Sequence, residues 1–386
     1  IIAAGGKGIL YWAPALAAME QITKSIEENK VFAFTCWCTD PKLLPGDRGP
    51  YWFQELHTES VQQSFYACSI LFEKMRKYGR TKVLHIAASK VAAPDSNALV
   101  NEGIILAWRR YPEIKLLGHY WGEWDYPGGR KAAEDALAVR TDYEGMWGHN
   151  DDQAMGQASA FEERGIEIGP WTASRDANYD CLKRIAEGTW LVSVVPDYQY
   201  WGGRRIADVY DAATGYKYPL RDEMILAPKN MLVLNLSTPG IKEESEELVK
   251  RTGLWWHPNI KDYIVDASAL LDFYEISRKF PTEKWPYDFR RISVGKCKEL
   301  GLEYDPHGGC YVTRNELFYI PLSNWYKVSD DRTKGENLEN FRKVFTVTMK
   351  YFTEVNWDTW EENEEKIKAA ESEGLKMIPF WEYTEP

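Results

Sequence analysis

The feature that most constrains this chain is a sustained alternation of short apolar runs with amphipathic helical stretches as far as residue 236. Residues 8–12 read as a buried strand, and 16–28 repeat apolar residues at helical spacing through Leu16, Met19, Ile22 and Ile26. A strand at 31–37 follows, then a Gly/Pro-rich loop, a helix at 58–78 and a strand at 82–88. The pattern resumes past Pro94 with helices at 97–110, 128–140, 152–164 and 178–187. These alternate with strands at 114–120, 143–149, 168–174 and 190–195, and a helix at 202–214 leads to a last strand at 231–236. Strands that alternate with helices build parallel sheets covered on both faces. The expected class is α/β, with two open parallel-sheet lobes joined by hinge crossings and a ligand cleft between them. Crossings are expected near 89–94, 196 and 226. The first lobe then takes residues 1–90 and 197–225, and the second 91–196 and 226–238.

From about residue 239 the rhythm changes, and 239–386 is expected to be a C-terminal extension of mixed helix and strand. Residues 241–252 and 337–353 are amphipathic helices by their spacing, and 309–327 hold aromatic, β-prone stretches. The acidic segment 354–374 reads as a helix whose charged face is solvated while Trp357 and Trp360 require cover.

Composition excludes several classes of partner. The formal net charge is -11, which repels nucleic acid and anionic lipid, and no Lys/Arg block offsets it locally. The six cysteines are not spaced as a disulfide scaffold, and they leave the redox compartment open. No apolar stretch reaches the roughly 18 residues that read as a membrane span. Seventeen Trp and 23 Tyr supply flat rings that suit sugar faces and core filling alike.

Four stretches, in order and in the right strand-helix context, resemble the periplasmic sugar-binding proteins of ABC transporters, of the ribose-binding type within the type I periplasmic binding protein fold. Gly8–Pro14 (GILYWAP) is similar to that family's strand and loop ending in Pro. Glu102-Gly103, with the helix reaching Trp108 and then Tyr111-Pro112-Glu113-Ile114, resembles the family's helix and its exit. Gly122-Glu123-Trp124-Asp125, then Gly129 and Ala132-Ala133, resembles its G-x-W-D-x-x-x-G-x-x-A stretch. His149-Asn150-Asp151-Asp152-Gln153-Ala154-Met155-Gly156 is similar to its N-D-x-x-A-x-G turn. The family's usual first strand-helix units have no counterpart before residue 8, so either they precede this sequence or the region after 240 supplies replacement elements. The repressors that share this fold carry a DNA-binding helix pair, and no such element is seen here.

The resemblance implies a ligand contact for Asn150, whose amide both donates and accepts and so suits a sugar hydroxyl. The alternative is that Asn150 or Asp151 caps the following helix, and Asp151 is assigned that role. Asp176 falls where the family places a carboxylate that accepts from ligand hydroxyls, against a plain solvated turn beside Asn178. The family's Asp-Arg clamp falls on Cys36 and Trp37, and its next Arg near Val100. Trp37 and Trp12 are therefore candidate stacking faces, and Asp197 and Gln199 stand near the last crossing as substitutes for a lost amide.

Other constellations are weaker. Glu123 and Asp125 invite a glycosidase reading, yet the resemblance makes them a surface loop, so no catalytic residue is expected. Cys297, Asp305, His307 and Cys310 match no firm metal signature, and neither metal nor cofactor is expected. Gly5-Gly6-Lys7-Gly8 precedes a strand and so lacks phosphate-loop geometry. The expected role is extracytoplasmic binding of a sugar or sugar-like solute for delivery to an ABC transporter permease. The location is the periplasm or cell exterior, free or tethered by a lipid anchor. The alternatives are a ligand-sensing co-receptor for a membrane signalling protein and a cleft enzyme acting on carbohydrate.

Overall fold

A computed structural model describes residues 5–13, 15–37, 39–58, 60–89, 91–196, 209, 212–213, 223–227, 230–253, 264–272, 290–292, 310–312 and 338–375. In chain order the first elements are β1 (Gly8–Tyr11), α1 (Leu16–Asn29), β2 (Phe32–Cys36), β3 (Trp52–Thr58), α2 (Ser60–Lys77) and β4 (Lys82–Ala87). Next come α3 (Pro94–Arg110), β5 (Lys115–Trp121), α4 (Tyr126–Val139), β6 (Gly145–Gly148), α5 (Asp151–Glu162), β7 (Thr172–Arg175), α6 (Tyr179–Ala186) and β8 (Val192–Pro196). The remainder are β9 (Glu223–Ala227), β10 (Asn230–Leu234), α7 (Ile241–Arg251), β11 (Ile264–Asp266), β12 (Arg290–Ile292), β13 (Cys310–Val312), α8 (Leu338–Phe352) and α9 (Trp360–Ser372). No described helix is long and apolar enough to cross a membrane.

The chain divides into two compact units. Unit 1 comprises Ile1–Thr58, Asp197–Lys229 and Ser277–Thr346, and unit 2 comprises Glu59–Pro196, Asn230–Ile276 and Val347–Pro386. The first division therefore falls at 58/59, and the crossing expected near 89–94 is corrected. β4 sits inside the sheet of unit 2, paired with β5 on one side and β6 on the other, so a lobe boundary after it would cut through that sheet. Nor does 239–386 form one extension: its parts are distributed between the two units.

Unit 1 holds a parallel sheet in the order β1-β2-β3-β9. Among the described residues, no strand after β9 joins it. Its core forms because α1 repeats apolar residues at helical spacing: Met19 and Ile26 pack with Ala13, Ala33, Leu43 and Trp52, flanked by Ile9, Tyr11, Leu16 and Ile22. β3 was not foreseen. Its run Trp-Phe-Gln-Glu interrupts the apolar signal, yet Gln54 and Glu55 are fully buried, and Glu55 Oε1 accepts from the Thr39 hydroxyl at 2.5 Å.

Unit 2 holds the order β11-β10-β8-β7-β6-β4-β5, with β10 antiparallel to β8 and the other pairs parallel. A 3-10 turn over Gly169–Trp171 opens what the sequence offered as the start of the strand at 168–174, so β7 begins at Thr172. Several motif residues earn their place through helix packing. A Cβ on Gly103 of α3 would overlap the Val61 carbonyl oxygen of α2. A Cβ on Gly129 of α4 would meet the Gln153 carbonyl oxygen, and one on Gly156 of α5 would meet that of Tyr126. Helices packed at such short range leave no room for side chains at the crossing point.

The later segments seat on their units by polar contacts. Within unit 1, Arg342 of α8 donates to the Pro41 carbonyl at 2.6 Å and pairs with Asp47 at 3.0 Å. Within unit 2, the Asn101 amide donates to the Phe352 carbonyl at 2.8 Å and the Thr348 hydroxyl to buried Glu102 at 3.1 Å. Trp357, 2% exposed, lies over the ring of His85 with centroids 4.0 Å apart, and Trp360 meets Trp108 edge-on at 5.2 Å. The two tryptophans of the acidic segment thus find their cover inside unit 2.

Candidate functional site

Non-glycine residues in the left-handed region concentrate at one place in the chain's architecture. Among the described residues, apart from Lys30, which closes α1, they follow the C-terminal end of a parallel strand. Trp37 (φ 49) follows β2, Ala93 (φ 49) lies in the loop after β4, Glu123 and Trp124 (φ 52 and 64) follow β5, and Asp176 and Ala177 (φ 103 and 48) follow β7. Each such residue costs on the order of 1–3 kcal/mol and persists where surrounding contacts over-determine it. In open α/β sheets those strand ends are also where ligands bind.

In unit 2 the turn after β6 carries Asn150, half-buried. Its Oδ1 accepts the Gln153 N–H at 2.9 Å, capping α5, and its Nδ2 donates to the Trp124 carbonyl at 2.9 Å. Asn150 is therefore the cap, and the assignment of that role to Asp151 is corrected. Capping requires extended backbone ahead of the helix, which Asn150 has (φ -144, ψ 172), whereas Asp151 is already helical. An amide has two lone pairs and two N–H groups, so each end of Asn150 keeps one further hydrogen-bonding valence. The same turn ties down Trp124, whose indole N–H donates to the Ala92 carbonyl at 2.9 Å. Asp125 caps α4 by accepting the Gly128 N–H at 2.7 Å, and Glu123 stands on the strained turn before it. The strand alternation that would have set Glu123 and Asp125 on one side is absent, because β5 ends at Trp121.

Asp176 is half-buried, and its N–H donates to the Val194 carbonyl at 2.9 Å. Beneath it lies Asp151, fully buried, whose carboxyl is pushed up to about 7 by burial first and then by the charge of Asp176. Arg175, the last residue of β7, is 4% exposed, and its guanidinium lies 3.4 Å from the Ser60 hydroxyl at the start of α2. Sequence reasoning missed Arg175. The available signal was a charged residue closing an otherwise small and uncharged strand, Thr-Ala-Ser-Arg.

His149, which leads the motif at this turn, is also buried. Burial first, then His85 and Arg175, lower its pKa well below 6.5, so its ring is neutral at neutral pH. Trp124 and Trp147 flank it at 5.9 and 6.2 Å between ring centroids.

In unit 1, Trp12 follows β1 and Trp37 follows β2, and pairing of these two strands brings the rings together edge-on at 6.4 Å. Trp12 is 53% exposed, so an indole face is open to solvent at the C-terminal end of this sheet. Asp197 and Gln199 lie outside the described residues, as do Cys297, Asp305 and His307.

Comparison with known proteins agrees with this architecture. Residues 58–217 match the family model described as periplasmic binding protein domain. Among solved structures, a twin-arginine translocation pathway signal protein from Burkholderia phytofirmans is 18% identical with a TM-score of 0.53, over 67% of this chain and 78% of that one. A protein from Mycobacterium smegmatis in complex with beta-D-fucofuranose is 13% identical with a TM-score of 0.53, over 66% and 79%. An ABC transporter periplasmic solute binding protein from Actinobacillus succinogenes, with bound D-allose, is 14% identical with a TM-score of 0.52, over 64% and 82%. Among curated proteins, none matches the chain by sequence. At such identities the likeness carries the fold, and this chain has the type I periplasmic binding protein fold.

Proposed function

We propose that this chain is an extracytoplasmic solute-binding protein that takes up a sugar or sugar-like polyol and delivers it to an ABC transporter permease. The observation that carries the reading is the concentration of left-handed, non-glycine backbone after the strands of unit 2, with Trp37 in the same position on unit 1. Such strain is a cost to folding, and ligand binding at those ends is the use that fits it. On unit 2, Asp176 offers a carboxylate and Asn150 its remaining donor and acceptor to hydroxyl groups. On unit 1, Trp12 and Trp37 offer stacking faces. Asp197 and Gln199 complete the proposed set from their place in the sequence.

The solved structures similar in fold are described with bound D-allose, myo-inositol and alpha-D-tagatopyranose, and we carry the small polyol class over to this chain. Binding without turnover is the reading that fits the loop after β5, where Asp125 is engaged as a helix cap. The protein acts in the periplasm or at the cell exterior, with a membrane permease as its partner.

The test is native mass spectrometry of the purified protein, followed by denaturing release and identification of any small molecule. One polyol per chain supports the reading. A folded, empty protein that D-allose, myo-inositol, D-tagatose and a wider sugar panel all fail to stabilise overturns it.

A further inference from the structure

Asp151 has a role that its position at the first turn of a helix conceals. Its Oδ1 accepts the hydroxyls of Ser174 at 2.5 Å and Ser193 at 2.9 Å, and its Oδ2 accepts the backbone N–H of Asn178 at 2.7 Å. Those partners hold others. The Ser193 hydroxyl accepts the Ala177 N–H at 3.0 Å, and the Ser174 hydroxyl accepts the Trp190 indole N–H at 3.1 Å. Asn178 in turn caps α6 through the Cys181 N–H at 2.9 Å and donates to Asp152 at 2.7 Å. Of the three backbone N–H groups in the turn 176–178, one goes to the Val194 carbonyl, one to Asp151 directly and one to a serine that Asp151 orients. Two residues of this turn are left-handed, and one of them is the candidate ligand contact Asp176.

We propose that Asp151 is the positioning residue of the ligand site: its buried carboxylate anchors the turn 176–178 in the strained conformation that presents Asp176 to a polyol. The proposal rests on the solute-binding reading above. It also predicts a pH dependence, from proton counting. An ionised Asp151 accepts all three donors. Once protonated, its own O–H must point at one serine, which then has to turn its hydroxyl hydrogen elsewhere. Each serine already accepts an N–H, and the alternative acceptor beside Ser174 is the Cys181 sulfur, at 3.8 Å. Protonation thus leaves a buried hydroxyl poorly satisfied, but burial and the charge of Asp176 oppose ionisation more than these donors favour it, so opening that wets the carboxyl becomes easier, and the anchor loosens, as pH rises through about 7.

The charged and titratable groups around it are Asp176 on the turn, Asp152 beside it on α5, and Asp180, Cys181 and Arg184 on α6. His149 follows the neighbouring strand β6, and Arg175 closes β7. Burial pushes the Cys181 thiol well up and the His149 imidazole well down, so both stay neutral across this range.

Hydrogen–deuterium exchange of the peptide covering residues 174–181, corrected for intrinsic rates, tests the anchor without any ligand. In the wild type, protection of Ala177 and Asn178 falls as pH rises through neutrality. In Asp151→Asn, whose amide turns a donor toward the Asn178 N–H or toward a serine, protection falls about tenfold and the inflection disappears, as the loss of a charge-assisted buried bond implies. Ser193→Ala is the milder second variant and loosens Ala177 while leaving Asn178 protected. Unchanged protection in both variants, or an inflection that survives in Asp151→Asn, overturns the proposal. Calorimetric titration with D-allose, myo-inositol and D-tagatose separates this from the function. A wild type that binds one of them as tightly as Asp151→Asn does, with the same pH profile, removes the positioning role and keeps the solute-binding reading. A turn that loosens in a protein binding none of a wider panel keeps the anchor and removes the reading.

Discussion

His85 and His149 face each other in the interior of unit 2 with their Nε2 atoms 3.4 Å apart, and both side chains are fully buried. Only one of the two nitrogens can carry the hydrogen between them, so the tautomer of one ring fixes the role of the other. His149 has its pKa lowered by burial, so below about 6.5 the unfolded chain binds a proton that the folded chain refuses, and stability from this group is lost as pH falls. Asp151 acts in the opposite sense. Its folded pKa is raised from 3.8 to about 7, so the folded chain binds the extra proton across that window and stability declines as pH rises through it. Between about pH 4 and 6.5 the two slopes oppose one another, each on the order of 1.4 kcal/mol per pH unit. Urea denaturation of His149→Gln at about pH 5, 6 and 7 is expected to show stability falling with pH more steeply than in the wild type. Parallel profiles would mean that His149 does not set the opposing slope.

The Asn150 side chain serves helix α5 and the Trp124 turn at once. Asn150→Ala is expected to cost about 1–2 kcal/mol, from the lost cap and the abandoned Trp124 carbonyl. Asn150→Ser restores the cap but not the second bond, so melting temperatures should fall in the order wild type, Ser, Ala. Equal melting of Ser and Ala would assign the whole effect to the Trp124 bond.

Asp176 sits at φ 103, a conformation that glycine adopts without strain. Asp176→Gly is therefore expected to raise stability by about 1 kcal/mol while weakening polyol binding. Thermal melting read beside calorimetric titration checks both. A lower melting temperature would mean that the carboxylate supports the fold by more than its backbone costs.

Trp357 covers His85 and is itself 2% exposed. Trp357→Ala is expected to cost about 3–5 kcal/mol in chemical denaturation, the range for removing a buried aromatic side chain. A loss below about 1 kcal/mol would make the segment from 354 a loosely attached layer.

Much of the architecture was legible because it rests on local contrast. The strands that became β2, β4 and β8 are apolar runs, and the intervening helices repeat apolar residues at helical spacing, so burial and period agree within each window. β3 was not legible because Gln54 and Glu55 are buried polar residues, and the partner of Glu55 is Thr39, across a loop. The boundary after β4 was misplaced for a related reason. Nothing in residues 82–88 states which strands will flank them, and only the pairing with β5 and β6 puts them in unit 2.

The candidate site divides the same way. Asn150 and Asp176 could be picked out because the resemblance places ligand contacts at these two turns, where a strand hands over to a helix. Asp151 could not, since one residue decides between capping a helix and turning inward, and both choices suit an acid at a first turn. By itself the sequence determined the order of strands and helices, the strand ends that carry the candidate residues and the absence of a basic surface, because propensity, periodicity and charge act over short range. Tertiary structure alone decided which strands share a sheet, where residues 347–375 pack and which carboxylate is buried. Those outcomes depend on partners such as Ser174, Ser193 and His85, which chain distance does not reveal and which meet Asp151 and Trp357 only once the sheet is formed.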